Sequence, residues 1–123
     1  MSETEKSVID GLELAQFIVA ALEDKKAGEI LLLDLGRETI VADYFIICSA
    51  NSDRQAKALA DAVRERVKEE HKRLPFAIEG AANSGWVLLD YGNVVVHVFL
   101  EEERRYYNLE GLWNQATVLL TIQ

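Results

Sequence analysis

The most regular pattern of hydrophobic and polar residues in the chain lies between residues 86 and 100. Two runs of β-branched and aromatic residues flank Gly92 and Asn93, and a glycine at the first position of a two-residue loop is typical of a type II′ turn. The pattern therefore predicts a β-hairpin. Its register pairs Tyr91 with Val94, Asp90 with Val95, Leu89 with Val96, Leu88 with His97, Val87 with Val98 and Trp86 with Phe99.

This register sorts the side chains of the hairpin into two faces, because successive side chains of a strand point to opposite sides. One face is almost purely apolar and is predicted to pack against a core: Val87, Leu89, Tyr91, Val94, Val96 and Val98. The other mixes large apolar groups with one acid and one imidazole: Trp86, Leu88, Asp90, Val95, His97 and Phe99. The mixed face indicates a surface that a partner covers part of the time. The alternative is a second core layer with Asp90 and His97 at its rim.

Apolar spacing predicts the remaining helices and strands. Steps of three and four residues predict helices over 7–24, after the capping pattern of Ser52 and Gln55, and from Glu101 onward. Short apolar runs predict strands over 30–35, 44–50 and 76–79. Residues 1–6 are expected to fray, while the tail 114–123 is left open between a helical turn, a strand and an ordered coil. Together these elements predict one α/β (α+β) domain over 1–123, with a mixed sheet of about five strands backed by helices.

Composition narrows the class of protein. The chain has 123 residues, of which 50% are hydrophobic and 28% are charged, as in ordinary globular domains. No apolar run approaches the roughly 20 residues of a membrane helix, and the polar N-terminus resembles neither a secretory signal nor an Arg-rich transit peptide. The single cysteine, Cys48, excludes an internal disulfide and fits a reducing compartment. These features predict a cytoplasmic protein with no membrane partner.

The charge balance bears on the kind of partner. Thirteen Lys and Arg residues stand against 21 Asp and Glu residues, which gives a net charge of −8. Nucleic-acid binding rests largely on cationic contacts to phosphates, so this balance argues against direct, sequence-specific nucleic-acid recognition. A basic protein is the better-matched partner, because opposite charge steers association.

The residues offer little catalytic chemistry. The chain lacks a Gly-rich phosphate loop, and its two histidines, His71 and His97, cannot form a zinc site of the usual spacing with Cys48. A Cys48–His97 dyad would need both side chains on one face and a third, orienting group. Asp34 and Asp90 do not form the Asp-x-Asp pair that could hold two magnesium ions. The sequence therefore predicts no catalytic, metal-binding or cofactor-binding residues.

Four stretches of the chain together resemble the ribosomal silencing factors, also called RsfS or Iojap proteins. They are residues 42–49 (ADYFIICS), 51–55 (NSDRQ), 85–99 (GWVLLDYGNVVVHVF) and 105–113 (RYYNLEGLW). The resemblance spans roughly residues 8–113. Two positions depart from the family pattern: Asn93 stands where an acid is common, and Gly111 where a charged residue is usual. The first removes a charge near the mixed face and the second weakens the last helix.

The resemblance implies a nucleotidyltransferase-like fold without the catalytic motif, and a function in repressing translation. Family members dock on the ribosomal protein numbered fourteen of the large subunit, at the face that meets the small subunit, and so block subunit joining. Carried over residue by residue, the family's contact surface falls on the mixed face of the hairpin, at Trp86, Leu88, Asp90, His97 and Phe99.

Three functional hypotheses follow. The first is a non-enzymatic repressor that acts by occlusion. The second is a nucleotide-binding or nucleotidyltransferase enzyme, which only the implied fold suggests. The third is a self-associating protein that pairs through its mixed hairpin face. Because an exposed patch of Trp86, Leu88 and Phe99 is costly to leave in water, the free repressor is also predicted to form a two-fold homodimer that competes with the ribosome for this surface.

Overall fold

The computed structural model describes residues 10–36 and 39–123, which form four helices and six strands. The helices are α1 (Gly11–Asp24), α2 (Asp53–His71), α3 (Glu101–Tyr107) and α4 (Leu109–Leu112). The strands are β1 (Gly28–Asp34), β2 (Tyr44–Ala50), β3 (Ala77–Ala81), β4 (Trp86–Asp90), β5 (Val94–Leu100) and β6 (Thr117–Ile122). A single 3₁₀ turn, Ala82–Ser84, joins β3 to β4.

All six strands belong to one sheet, in the order β3-β4-β5-β2-β1-β6. The central strands β2 and β5 run parallel, and every other neighbouring pair is antiparallel. A parallel pair cannot be joined by a tight turn, and the chain between β2 and β5 contains α2, β3 and β4. The mixed sheet with its helices confirms the predicted α/β class.

The helices α1 and α2 cover one face of the sheet. We call the hydrophobic cluster between these helices and the sheet the first core. Apolar residues three and four positions apart line both helices, so each presents one buried stripe to the sheet. Its fully buried side chains include Leu14, Ile18 and Leu22 from α1, Leu59, Val63 and Val67 from α2, and Ile46, Leu89 and Val96 from the strands. The capping pattern is confirmed in its first half, since the Ser52 hydroxyl accepts the Gln55 N–H at 3.1 Å. The Gln55 side-chain oxygen accepts from the Asn51 N–H at 2.7 Å rather than from Ser52.

The opposite face of the sheet carries a smaller second core. Its buried members are Leu33, Leu35, Ala42, Phe45, Ile47, Val95 and Phe99, and Trp86, Leu88, Leu109, Trp113 and Ala116 pack against it. In that second group Trp86 and Leu88 come from the hairpin, and the other three residues come from α4 and the segment after it. A single layer of sheet therefore separates two hydrophobic clusters, and the shorter helices α3 and α4 lie on the side of the second core.

The hairpin register is confirmed at every pair from Trp86–Phe99 to Asp90–Val95. Other boundaries shift. The first helix is described from Gly11, and residues 7–9 of its predicted range, like the predicted frayed residues 1–6, lie outside the described residues. The predicted strand 76–79 is Ala77–Ala81, and the last helix breaks in two at Asn108, whose φ is +49°.

The tail left open by the sequence forms β6, which pairs antiparallel with β1 and raises the strand number from about five to six. Its side chains are mostly exposed, with Val118 at 54% and Leu119 at 42%. Buried and exposed residues therefore do not alternate along this strand. Among the described residues, no helix is both long and apolar enough to cross a membrane.

Candidate docking surface

The turn of the hairpin fixes which residues reach the mixed face. Gly92 has a φ of +88°, and its N–H donates to Asp90 Oδ1 at 2.7 Å, while the Tyr91 N–H donates to the Val94 carbonyl at 2.9 Å. A Cβ atom on Gly92 would also lie 2.8 Å from Cε2 of Phe76. Glycine is therefore favoured here for its positive φ, and a Cβ atom would also displace the exposed ring of Phe76.

The five residues predicted to contact a partner lie together on the second-core side of the sheet, but at two depths. Trp86, Leu88 and Asp90 are half-buried. His97 is only 3% exposed and Phe99 is fully buried. The expectation that Phe99 belongs to an exposed patch is thus wrong, as is the placement of His97 at a rim. The second-core alternative holds for Phe99, which Tyr107 of α3 covers. His97 lies inside that core, among Phe45, Trp86 and Phe99, and not at its rim.

Four aromatic side chains from the hairpin and α3 form a cluster, which we call the aromatic cluster: Trp86, His97, Phe99 and Tyr107. The Trp86 and Phe99 rings stack with centroids 4.9 Å apart, and Tyr107 lies 4.6 Å from Trp86 and 6.1 Å from Phe99. Aromatic pairs at these separations attract beyond the effect of area burial. Tyr107 is 46% exposed, so it covers Phe99 while adding its own surface beside Trp86.

His97 is bonded within this cluster. Its Nδ1 accepts the indole N–H of Trp86, with 3.2 Å between the two nitrogens. Burial lowers the pKa of His97 to about 4, so its imidazole is neutral at pH 7. A neutral imidazole whose Nδ1 accepts must carry its proton on Nε2. The Nε2 atom is buried without a hydrogen-bond partner among the described residues.

Arg104 holds α3 against the sheet. Its side chain is 10% exposed, and its Nε donates to Glu110 Oε2 at 2.9 Å. Its Nη1 donates to the Glu29 carbonyl at 2.7 Å and to Ser49 Oγ at 2.8 Å. These bonds join α3 to α4 and to the neighbouring ends of β1 and β2. Arg104 thereby sets where Tyr107 lies over the hairpin.

A small open cavity of about 220 Å³ lies beside the indole of Trp86. It is lined by Glu79, Gly80, Ser84, Trp86, Leu88 and Tyr107. Its walls combine apolar and aromatic surface with one carboxylate, which suits the entry of a side chain from another protein.

Sequence reasoning missed Tyr107 and Arg104 as parts of this surface. Both lie in or beside the stretch 105–113 that carries the family resemblance, so the resemblance marked the segment but gave no role to it. Their roles depend on contacts with residues far away in the chain, such as Glu29 and Ser49 for Arg104. A local pattern carries no signal for such contacts.

The Cys48–His97 dyad considered from the sequence does not form in this fold. Cys48 is buried in the first core, and burial raises the pKa of its thiol to about 12. Its neighbour in the strand, Ile47, pairs with His97 on the other face of the sheet, so Cys48 and His97 point to opposite sides. Among the described residues there is no group of three or more His, Cys, Asp or Glu side chains that could hold a metal ion.

Comparison with known proteins gives a consistent set of relatives. The family model described as "Ribosomal silencing factor during starvation" matches residues 8–123. A protein of Bacillus subtilis named "Ribosomal silencing factor RsfS" is 45% identical over 103 residues, covering 84% of this chain and 86% of the relative. The protein of the same name from Halalkalibacterium halodurans is 45% identical over 107 residues, covering 85% and 88%. "Protein Iojap, chloroplastic" of Zea mays is 33% identical over 86% of this chain and 46% of its own length.

Solved structures agree with these relatives. A crystal structure of a Chromobacterium violaceum protein superposes with a TM-score of 0.81 at 38% identity, covering 86% of this chain and 88% of the other. A crystal structure from Bacillus halodurans gives a TM-score of 0.72 at 39% identity, covering 91% of this chain and 98% of the other. The fold described above is therefore shared with experimentally determined relatives.

Proposed function

We propose, since this chain belongs to the ribosomal silencing factor family, that it silences translation by docking on the ribosomal protein numbered fourteen of the large subunit and blocking its joining with the small subunit. A ribosome-associated role in silencing translation follows from the family itself. The partner protein and the block of joining are the proposal. We also propose that the protein acts in the cytoplasm, that it is not an enzyme, and that it needs no cofactor.

The observation that carries the proposal is the accessible part of the mixed hairpin face. Trp86 and Leu88 are half-buried apolar side chains that border an open cavity, and Tyr107 extends this surface. Partly exposed aromatic residues beside a cavity are typical of interface anchors, because they bury much area with few rotatable bonds. Within the five predicted residues, Trp86, Leu88 and Asp90 would touch the partner directly, with His97 and Phe99 beneath them.

Charge supports a basic partner. The chain carries a net charge of −8, and the docking surface includes Asp90 and, at the cavity, Glu79. Ribosomal proteins must coexist with RNA phosphates, for which cationic side chains are the usual complement. An acidic surface facing a basic protein gains association rate, while repulsion from phosphates keeps the domain from binding RNA at random.

The proposed mechanism requires occupancy of a site and no turnover. A domain that covers part of the large subunit's joining face excludes the small subunit by volume alone. Such a protein needs affinity for its site and a well-packed shape, and it does not need a reactive group. The two cores provide the packing. The burial of the Cys48 thiol and of the His97 imidazole supports this mechanism.

The direct test uses purified ribosomal subunits. Large subunits incubated with the protein should fail to form joined particles when small subunits are added, as measured by sucrose-gradient sedimentation. The protein should sediment with the free large subunits. Addition of the protein after joining, as an order-of-addition control, should have a much smaller effect. Sedimentation with the large subunit without any loss of joined particles would contradict occlusion, and absence from the large-subunit fraction would contradict docking.

The self-association of the free protein can be tested separately. Because Phe99 is buried, the apolar patch that the mixed face can offer to a second copy consists of Trp86 and Leu88, with Tyr107 beside them. We still expect a two-fold dimer at high concentration, since pairing two such patches would remove them from water. Light scattering across a concentration range should show the mass rising toward twice 13.8 kDa. A constant monomer mass over the whole range would refute the dimer, and Trp86→Ala should shift the transition to higher concentration.

A further inference from the structure

Among the described residues, Ser49 and His97 are buried polar side chains, in addition to the hydroxyl of the buried Tyr91. Ser49 is accounted for by its bond to Arg104. His97 has a less obvious purpose, because an imidazole inside an apolar cluster is disfavoured relative to an aliphatic side chain unless its nitrogens are hydrogen-bonded. Among the described residues, the His97 ring accepts a hydrogen bond from the indole N–H of Trp86. The buried imidazole therefore acts as the hydrogen-bond acceptor for the indole of Trp86.

The geometry of the sheet explains why these two side chains meet. Trp86 is directly opposite Phe99 and His97 is directly opposite Leu88, so Trp86 and His97 are diagonal neighbours on one face. Diagonal neighbours lie within reach of each other when both side chains are long or aromatic. The centroids of the two rings are 5.9 Å apart, and the bond between Nε1 and Nδ1 closes the distance at one edge.

The His97 ring is itself held on two sides. Phe45 from the neighbouring strand packs edge-to-face against it with centroids 4.6 Å apart. Phe99 lies nearly parallel to it, with centroids 6.2 Å apart and an interplanar angle of 9°. An acceptor fixed in this way restricts the χ angles of the tryptophan that bonds to it. Phe99 also stacks on Trp86 at 4.9 Å, and Tyr107 packs against the same indole at 4.6 Å, so two aromatic contacts and one hydrogen bond fix the indole.

We propose that His97 is a positioning residue for docking: its buried imidazole accepts the indole N–H of Trp86 and holds the exposed edge of the indole in the orientation that enters the partner. This inference rests on the proposed docking surface, and it assigns His97 an indirect role where the family resemblance implied a contact. Nδ1 acts as the acceptor and the N–H stays on Nε2.

The expected effect follows from the freedom that the bond removes. A large side chain that is mobile in the free protein must be ordered on binding, and this weakens affinity by about 3- to 10-fold for one side chain. His97→Leu, which removes the acceptor but keeps the site apolar, should weaken docking on purified large subunits by that factor. His97→Asn is the matched rescue variant, because its side-chain oxygen can occupy a position close to Nδ1 and accept the same N–H.

A double-mutant cycle separates positioning from a general loss of stability. Trp86→Phe removes the indole N–H while keeping an aromatic ring. In the Trp86→Phe background, His97→Leu should cause no further loss of docking, since the bond is already absent. Independent, multiplying losses from the two substitutions would overturn the proposal. Thermal melts of all four proteins show whether each is folded under the conditions of the assay.

A spectroscopic measurement on the unmodified protein keeps the test decisive even if His97→Leu does not fold. The chain has two tryptophans, Trp86 and Trp113, and Trp86→Phe assigns their indole N–H signals in an NMR spectrum. The Trp86 signal should be protected from hydrogen exchange, and His97→Asn should retain most of this protection. An unprotected Trp86 indole N–H would overturn the proposal. A protected N–H together with unchanged docking of Trp86→Ala would instead reject the proposed docking surface and leave the hydrogen bond in place.

Discussion

Replacement of Trp86 by alanine should weaken docking on the large ribosomal subunit by about 2 kcal/mol or more, the usual scale for an aromatic interface anchor, which is roughly 30-fold in affinity. The reason is the position of the indole. It is half-buried, borders the cavity lined by Glu79 and Leu88, and is held in place by Phe99 and Tyr107. A side chain ordered before binding contributes its contact area with little loss of entropy on docking.

The structure adds a cost in stability that the hairpin pattern alone does not reveal. Because Trp86 stacks on Phe99 and Tyr107, the alanine variant also loses packing within its own chain. Docking must therefore be measured by subunit pelleting at a temperature well below the melting transition of the variant. Under those conditions the loss in pelleting reports binding, and the thermal melt reports folding.

Leu89→Ala is the matched control for Trp86→Ala. Leu89 lies three positions further along the same strand, points into the first core and is fully buried. Its truncation should lower the free energy of unfolding by about 2–5 kcal/mol, the range for buried leucines. The folded fraction should still pellet with large subunits. If Trp86→Ala pellets like the parent but melts far lower, Trp86 is a packing residue and the docking surface lies elsewhere.

The hairpin could be predicted from sequence because its determinants are local. Gly92 sets the turn, the turn sets the register, and the register sorts the side chains into two faces. The interpretation of the mixed face was harder. An acid and an imidazole among aromatic residues indicate a partly wet surface, yet both His97 and Phe99 are buried. Tyr107 covers Phe99, and the rings of Phe45, Trp86 and Phe99 enclose His97. The cover over Phe99 comes from α3. Arg104 holds this helix through hydrogen bonds to Glu29 and Ser49, which lie far away in the chain.

The tail illustrates a second limit of sequence reasoning. Thr117–Ile122 has no alternation of apolar and polar residues, and as an edge strand it is mostly exposed. Its assignment depends on β1, whose continuous apolar run predicts an interior strand. An interior strand requires a neighbour on each side, and β2 supplies one of them. The second neighbour is β6. The tail therefore forms a strand because the free edge of β1 needs a partner, and its own residues do not predict this.

Replacement of Phe99 by alanine should have the largest effect on folding among the residues of the docking surface. Phe99 is fully buried in the second core, where it stacks on Trp86 and lies under Tyr107. Truncation of a buried phenylalanine lowers the free energy of unfolding by about 3–5 kcal/mol, because the removed ring leaves a cavity that the surroundings fill only in part. Chemical denaturation with the parent protein as reference measures this difference.

Phe99→Leu distinguishes a supporting role for Phe99 from direct contact with the ribosome. Leucine keeps an apolar side chain beneath Trp86 and leaves a smaller cavity, so this variant should be destabilised less than Phe99→Ala and should remain folded. If Phe99 acts from beneath, the folded variant should pellet with large subunits nearly as well as the parent, and far better than Trp86→Ala. If it melts like the parent but pellets as poorly as Trp86→Ala, the phenyl ring contacts the partner. Tyr107 and α3 would then have to move away from the hairpin on docking, since they cover Phe99 in the free chain.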